Sequence, residues 1–215
     1  MSSDNRNVAL FSIPGCVTFP YTHMPLHVFE PRYRDMVNHC ISNDMMMGVC
    51  HTHKVLHEKK ASQSLKETLN SNQSTYKPQS VFSVGDVELL DTLPDGRLHV
   101  VVHMQERVQL EQEVQTLPFS IVEVSSLADL ESETQKHDTA QLKEKILTRL
   151  KALFAANTEL MAYFDSAEIQ DMNEDMFSYH IFSVLQFDPD MQQQILEIRS
   201  GVQRLELLLD ILNSQ

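Results

Sequence analysis

The sequence lacks several features that define whole classes of protein. Its three cysteines, Cys16, Cys40 and Cys50, form no CxxC pair and are odd in number, which suits a reducing compartment better than a disulfide framework. No apolar run approaches the roughly 20 residues of a membrane span. The first residues carry no signal-peptide pattern. We therefore expect a cytoplasmic protein that does not use a membrane as a partner.

Positive charge is also scarce. The chain has 17 Lys and Arg residues against 30 Asp and Glu residues, which gives a net charge of −13 at pH 7. A nucleic-acid surface needs clustered basic side chains that displace counterions from phosphates, and the sequence contains no basic stripe. We therefore expect neither nucleic acid nor an anionic membrane surface as a partner.

The sequence motifs of several enzyme classes are missing as well. The chain has only five glycines, and it contains no GxxxxGK[ST] phosphate loop, GxSxG, HExxH, GxGxxG or EF-hand loop. Acidic pairs such as Glu174-Asp175 lie in an acidic helical segment and are interpreted as a solvated face. These absences argue against an ATPase with a Walker-type phosphate loop and against the other classes that these motifs define, and no cofactor is expected.

The residues that are present fit an ordinary globular protein whose first part is β-rich. Of the 215 residues, 42% are hydrophobic and 22% are charged, which is enough to form a core without disulfides or metals. Six or seven short strands are predicted, with the turn Leu93-Pro94-Asp95-Gly96 inside a hairpin. This spacing favours an antiparallel barrel or sandwich. The strand candidates are residues 8–13, 45–50, 81–90, 98–102, 108–110 and 119–124.

One helix is predicted among these strands. Pro31 suits a first helical position, Glu30 places negative charge at the positive end of the helix, and Asn43 is a plausible left-handed stop. The apolar face of this helix comprises Tyr33, Met36, Val37, Cys40 and Ile41. Residues 57–79 are polar and predict a long exposed loop.

The apolar period changes to that of helices near Asp138. Asp138 is a candidate cap for a first helix, residues 174–185 form a second, Asp188-Pro189 opens a third and Ser200 caps a fourth. The chain is therefore predicted to be α+β, with a β-rich subdomain over 1–127 and a helical bundle over 128–215.

A histidine cluster is the one candidate metal site. His51, His53 and His57 follow Cys50 in the segment CHTHKVLH, and on a strand His51 and His53 would point to the same face. No second pair of ligands follows at zinc-finger spacing. We favour polar surface over metal binding for these three histidines.

The most specific segment of the chain is residues 25–34, PLHVFEPRYR, here called the signature segment. It resembles the opening of the N-terminal substrate-binding domain of the Lon protease family. The matching residues are Pro25, Leu26, His27, Phe29, Glu30, Pro31, Arg32, Tyr33 and Arg34. The resemblance continues at lower specificity at Val84-Gly85, at the 93–96 turn, at Arg107, over 192–197 and at Arg204-Leu205.

The resemblance implies a PUA-like β pseudo-barrel with one inserted helix, followed by a helical bundle. Lon proteases continue into an ATPase module and a serine–lysine protease domain, whereas this sequence ends at Gln215. The resemblance therefore implies a stand-alone, non-catalytic protein-binding module. We expect the signature segment to hold the fold rather than to contact a ligand, since it starts the helix and presses it onto the barrel.

Four functions remain open at this point. The favoured one is binding of unfolded or exposed apolar polypeptide segments, in a groove between barrel and bundle or at an open strand edge. The alternative is an adaptor or regulator that binds one folded partner, such as a protease or chaperone. A metal-dependent enzyme using the 50–57 histidines and an RNA-binding PUA-like protein are disfavoured, the latter by the negative charge.

Overall fold

Among the residues that the structure describes, strands occupy the first part of the chain, and all helices but one occupy the last part. The computed structural model describes residues 5–54, 76–130, 133–185 and 187–214. The strands are β1 (Arg6–Ser12), β2 (His23–Val28), β3 (Met47–Cys50), β4 (Thr52–Lys54), β5 (Tyr76–Pro78), β6 (Val81–Thr92), β7 (Leu98–Gln115) and β8 (Ile121–Ser126). The helices are α1 (Pro31–Asn43), α2 (Glu133–Leu153), α3 (Thr158–Phe164), α4 (Ala167–Gln170), α5 (Glu174–Val184), α6 (Pro189–Glu197) and α7 (Gly201–Asn213).

Five of the strands close into a ring. The strand order is β2-β7-β6-β3-β1-β8, and β8 also pairs with β7. Strand β7 makes this closure possible because it pairs with β6 and β2 along its first half and with β8 along its second half. Register shifts in both the β6–β7 and β7–β8 pairings bend these strands around the ring. The predicted barrel with one inserted helix and following helices is confirmed.

The barrel is not wholly antiparallel, however. Strands β1 and β3 pair in parallel, with Ala9 opposite Met47 and Ser12 opposite Cys50. A parallel pair needs a long connection that returns the chain to the starting end of the sheet, usually through a helix. Helix α1 lies within that connection, so the same inserted helix that the sequence predicts is what permits the parallel pair.

Strand β7 is longer than the sequence suggested. The two predicted strands at 98–102 and 108–110 form one continuous strand of 18 residues. The predicted hairpin turn before it is confirmed, since Gly96 has φ of 82° and its N–H donates to the Leu93 carbonyl over 2.8 Å. The predicted loop at 57–79 ends before residue 76, because Tyr76–Pro78 forms β5 and pairs with β4. The rest of that loop, to residue 75, lies outside the described residues.

Helix α1 covers one face of the barrel strands. Its buried face carries Met36, Val37 and Cys40. Met36 and Cys40 pack with Ala9, Met47 and other barrel residues. Val8 and Leu10, which alternate with Ala9 along β1, join a separate cluster on the opposite face. Three details of the prediction were wrong: Ile41 is exposed, Tyr33 is only half-buried and the left-handed residue that ends α1 is Asp44, not Asn43.

The later helices pack around a second core. Ile146, Phe177, Ile181 and Leu205 are fully buried in it, and Phe19 from the β-rich part joins the same cluster. Side-chain caps at Asp188 and Ser200 are confirmed. The predicted cap at Asp138 was wrong because α2 already begins at Glu133. The two short helices α3 and α4 were missed, although Asn157 and Ser166 cap them. The division into subdomains at 127/128 stays a prediction.

A buried ion cluster joins the barrel to the helices. Arg107 of β7 and Arg204 of α7 are 2% and 0% exposed, and both pair with Asp129 in the connection between β8 and α2. Arg107 also donates to the carbonyl oxygens of Leu196 and Ile198, each at 2.5 Å. The chain therefore fixes its two halves through three side chains that lie far apart in the sequence.

The charges in this cluster control its titration. Burial raises the pKa of Asp129, but the hydrogen bonds and charges of Arg204 and the charge of Arg107 outweigh that effect, so its pKa lies below the ordinary value. Burial raises the pKa of Tyr179, so its hydroxyl stays protonated and donates to Asp129 over 3.2 Å. The guanidinium carbon of Arg204 lies 3.8 Å from the centre of the Tyr179 ring.

We expect Asp129→Asn to destabilise the protein by about 3–5 kcal/mol at pH 7, because two buried guanidinium groups lose their counterion. The folded-state pKa of Asp129 is lowered, so its contribution is present at neutral pH and is lost as pH falls below about 4. Urea unfolding from pH 7 to pH 3 should therefore show the difference between wild type and variant shrinking on acidification. The control is Asp165→Asn, which removes an exposed partner of Lys151 and should cost less than about 1 kcal/mol.

Gly85 offers a second test of the fold. A Cβ atom added there would lie 1.9 Å from the carbonyl oxygen of His103 on β7, so Gly85→Ala should cost about 3 kcal/mol through displaced backbone. The matched control is Gly15→Ala, where φ is 77° but the nearest atom lies 3.9 Å away. That control should cost only the left-handed penalty of about 1–2 kcal/mol. Equal losses in thermal unfolding would contradict the close approach of β6 and β7.

Candidate functional site

A groove of about 1010 Å³ runs between the barrel and the helices. One wall is the chain from Val17 to Met24, which leads into β2, and the other wall comes from α4, α5 and the turn between them. The function that the family resemblance implies calls for either a groove in this position or an open strand edge, and the sequence does not identify the residues that line the groove. Phe19 and Val81 from the barrel part pack into the helical core, and the ion cluster adds a polar contact. The groove lies beside these contacts.

Tyr21 is the most exposed large apolar side chain in the groove. It has φ of 63°, a conformation uncommon for residues other than glycine, and 46% of it is exposed. Its N–H donates to the Met104 carbonyl over 2.8 Å, and the Thr22 hydroxyl donates to the Phe19 carbonyl over 2.6 Å. These bonds hold the bend and turn the Tyr21 ring toward the helices, 6.3 Å from the ring of Tyr179.

Methionines supply most of the flexible apolar lining. Met24 comes from β2, Met172 from the turn before α5 and Met176 from α5 itself. All three are partly exposed. Unbranched thioether side chains adapt to apolar partners of different shape, so this lining suits a binding surface with a broad range of ligands.

The helical wall also carries titratable groups. Glu168 and Asp171 line the groove and are exposed. His180 lies beside them and hydrogen-bonds through Nε2 to the Tyr163 hydroxyl. Burial lowers the pKa of His180, while the nearby charge of Glu168 acts in the opposite direction. The groove is therefore acidic at neutral pH.

The signature segment lines a second, smaller cavity of about 580 Å³. Leu26, Phe29 and Tyr33 face it together with Phe11 and Phe119 from the barrel. The rings of Phe11 and Tyr33 lie 4.3 Å apart. Its polar lining includes Glu30 and Arg32, which pair over 2.9 Å. This arrangement is called the signature cavity below.

Two other signature residues contribute to the backbone structure, one by starting α1 and one by bonding a carbonyl. Pro31 occupies the first turn of α1, and Arg34 donates to the Gly96 carbonyl over 2.9 Å, which ties α1 to the β6–β7 turn. Pro25 and His27 are exposed on β2. Phe29 is 63% exposed. The structural role of the segment stays a prediction, and Phe29 is the residue that fits it least.

The histidines after Cys50 do not form a metal centre among the residues described. His51 is buried, accepts the Gly15 N–H at Nδ1 over 2.9 Å and lies 3.6 Å from Asp190 through Nε2. It therefore connects a barrel loop with α6. His53 lies on β4, and His57 lies outside the described residues. No three His, Cys, Asp or Glu side chains in the described ranges are grouped as metal ligands.

The cysteines are free thiols with little nucleophilic character. Burial raises the pKa of Cys40 to about 12 and that of Cys50 to about 12, and it also raises the pKa of Cys16. These side chains therefore stay protonated at neutral pH, and the reactive thiolate form is scarce.

A search of the described helices for membrane spans found none with the length and hydropathy that a span requires.

Comparison with protein families agrees with this architecture. Residues 7–214 match the family of the ATP-dependent protease La (LON) substrate-binding domain. The chain belongs to the Lon substrate-binding domain family. The matched family is the substrate-binding part of the protease and not its catalytic part.

The curated relatives are full-length proteases. Lon protease from Cytophaga hutchinsonii is 23% identical over 213 residues, which cover 97% of this chain and 23% of that protein. Lon protease from Amoebophilus asiaticus is 29% identical over 141 residues, which cover 62% of this chain and 17% of that protein. The chain therefore spans about a quarter or less of the length of these two relatives.

Solved structures show the same fold. The N-terminal domain of a Mycobacterium avium complex Lon protease superimposes with a TM-score of 0.65 at 13% identity, covering 98% of this chain and all of that one. A Lon N-terminal domain protein from Xanthomonas campestris gives a TM-score of 0.54 at 20% identity, covering 95% and 98%. Both resemblances concern the fold alone.

The signature segment yields a test of its structural role. Tyr33→Ala should cost about 2 kcal/mol, less than the 3–5 kcal/mol of a fully buried aromatic, because Tyr33 is half-buried. Phe29→Ala should change stability by no more than about 0.5 kcal/mol, since that ring is largely exposed. Thermal unfolding of the two variants decides the matter. A large loss at Phe29 would show that its ring supports the fold despite its exposure.

Proposed function

We propose that this protein binds exposed apolar segments of polypeptide chains in the groove between barrel and helices, as the family's substrate-binding role suggests. The observation that supports this most is the lining of the groove by Tyr21, Met24, Met172 and Met176 from both halves of the molecule. The volume of the groove, about 1010 Å³, lies at the upper end of the range that is usual for ligand cavities. It offers room for several side chains of one segment.

The flexible lining favours sequence-tolerant binding over recognition of one ligand. Methionine side chains can repack around different apolar groups at small cost, and promiscuous binding surfaces commonly use them. The acidic groups Glu168 and Asp171 add a preference. Segments that carry Lys or Arg between their apolar residues should bind better than acidic segments, and this preference should weaken at high salt.

The proposal separates binding from proteolysis. The protein would supply recognition of a polypeptide and no catalytic group, as the matched family is a substrate-binding domain. We further propose a cytoplasmic location, which the three free thiols support. The alternative is that the chain acts as an adaptor or regulator for one folded partner such as a protease or chaperone.

Met176→Lys provides the direct test. It places a charge among the apolar side chains of the groove, on a partly exposed position of α5, so binding of a fluorescent polypeptide kept unfolded by reduction and neutral carbamidomethylation should weaken at least tenfold. The matched control is Leu153→Lys, which makes the same charge change on a 38% exposed side chain outside the groove. Fluorescence anisotropy measures the affinity, and circular dichroism checks that both variants fold.

Three outcomes would contradict the proposal. One is equal affinity of Met176→Lys and wild type for the unfolded polypeptide. Another is an equal loss in the Leu153→Lys control. The third is loss of binding in Phe29→Ala with wild-type stability, which would move the binding site to the signature cavity. Binding of a folded partner with no affinity for the unfolded polypeptide would favour the adaptor function instead.

A further inference from the structure

Four of the ten histidines lie on one outer face of β2 and β7. The antiparallel register places His23 opposite His103 and His27 opposite His99. The residues that alternate with them on β2, Met24 and Leu26, pack with the barrel core. Two pairs of imidazole rings therefore stand side by side on the solvent face, with ring centres 4.8 Å apart in each pair.

The two pairs differ in how their nitrogens are placed. Nδ1 of His103 lies 3.0 Å from Nδ1 of His23, close enough for one ring to donate a hydrogen bond to the other. Within the described part of the chain, His27 and His99 make no such contact between ring nitrogens. Nε2 of His103 lies 2.7 Å from a carboxylate oxygen of Glu88 on β6. An ionised carboxylate only accepts, so Nε2 of His103 donates. In the neutral ring the lone pair then lies on Nδ1, which faces His23.

This arrangement has the features of a metal chelate. Two metal–nitrogen bonds of about 2.0 Å that meet at a right angle separate their nitrogens by about 2.8 Å, close to the 3.0 Å observed. Histidine ligands usually donate their other ring nitrogen to a carboxylate, which fixes the tautomer and orients the ring. Glu88 is placed to do this for His103.

We propose that His23 and His103 chelate a divalent copper or nickel ion through their Nδ1 atoms, at adjacent corners of a square-planar site completed by water. Square-planar nitrogen and oxygen coordination is typical of Cu²⁺ and Ni²⁺, and Cu²⁺ binds most tightly in the divalent series. The absence of a third grouped ligand among the described residues disfavours the four-ligand sites of structural zinc. Because His23 also lines the groove, the ion would lie at the rim of that groove.

The test is titration of the untagged full chain with Cu²⁺ alone, followed by calorimetry and electron paramagnetic resonance. Wild type should bind one Cu²⁺ at micromolar concentration, with hyperfine splitting from two nitrogens. His23→Asn and His103→Asn should each weaken binding at least tenfold and remove the two-nitrogen pattern. Glu88→Gln should weaken it by a smaller factor, since the ligand atoms remain.

The second histidine pair is the matched control. His27→Asn combined with His99→Asn removes the same number of imidazoles from the same strands and should leave Cu²⁺ affinity unchanged. The proposal is overturned if wild type takes up no Cu²⁺, or if the His27/His99 double variant loses affinity as much as His103→Asn. It is also overturned if binding persists without His23 and His103 and is lost when His53 and His57 are replaced. Circular dichroism establishes that each variant is folded.

Discussion

The arrangement of the whole molecule depends on one carboxylate between two buried guanidinium groups. Asp129 pairs with Arg107 from the barrel and with Arg204 from the last helix. Two arginines that are almost fully buried would repel each other without it, and each would carry an uncompensated charge in a medium of low dielectric constant. This contact, together with the packing of Phe19 into the helical core, sets the position of the helices on the barrel and hence the groove between them.

The same cluster also satisfies the backbone where two elements end. Arg107 bonds the carbonyls of Leu196 and Ile198 at the end of α6, and Arg204 bonds the Ile198 carbonyl over 2.8 Å. The last carbonyls of a helix have no partner within it. The planar guanidinium of Arg107 bonds these two oxygens, the Leu127 carbonyl and the Asp129 carboxylate at once, which is more than the three donors of a lysine could do.

Periodicity was enough to predict the main elements of the fold but not their pairing. The alternation of Leu98, Val100 and Val102 and the helical spacing of Ile146 and Leu150 reflect burial of one face, which a local pattern records directly. The parallel pairing of β1 and β3 leaves no such pattern. Asp129 lies between Ala128 and Leu130 with no local feature that marks it. Its partners Arg107 and Arg204 stand out in the sequence only through the family resemblance.

The lining of the groove also could not be predicted from local sequence patterns. Tyr21 and Met176 belong to segments far apart in the chain, and neither lies in a recognisable motif. The Tyr21 conformation is held by the bond from its N–H to the Met104 carbonyl, which only the folded chain brings near, and by the local bond from the Thr22 hydroxyl to the Phe19 carbonyl. The signature segment, in contrast, could be recognised from the sequence because its prolines and charged residues lie within a few residues of each other. It identified the fold and not the groove.

The closed ring has a consequence for the order in which the chain can fold. The β6–β7 hairpin joins neighbouring segments, whereas β1 must pair with β8 across the length of the barrel part. Contacts between segments distant in sequence form slowly, because the intervening chain must be ordered first. During synthesis the first strand therefore stays without its β8 neighbour until Ser126 has been made. Arg204, which completes the ion cluster, arrives later still, so a nascent chain would present unpaired strand edges and the uncovered Phe19 surface to cellular chaperones before its own helices cover them.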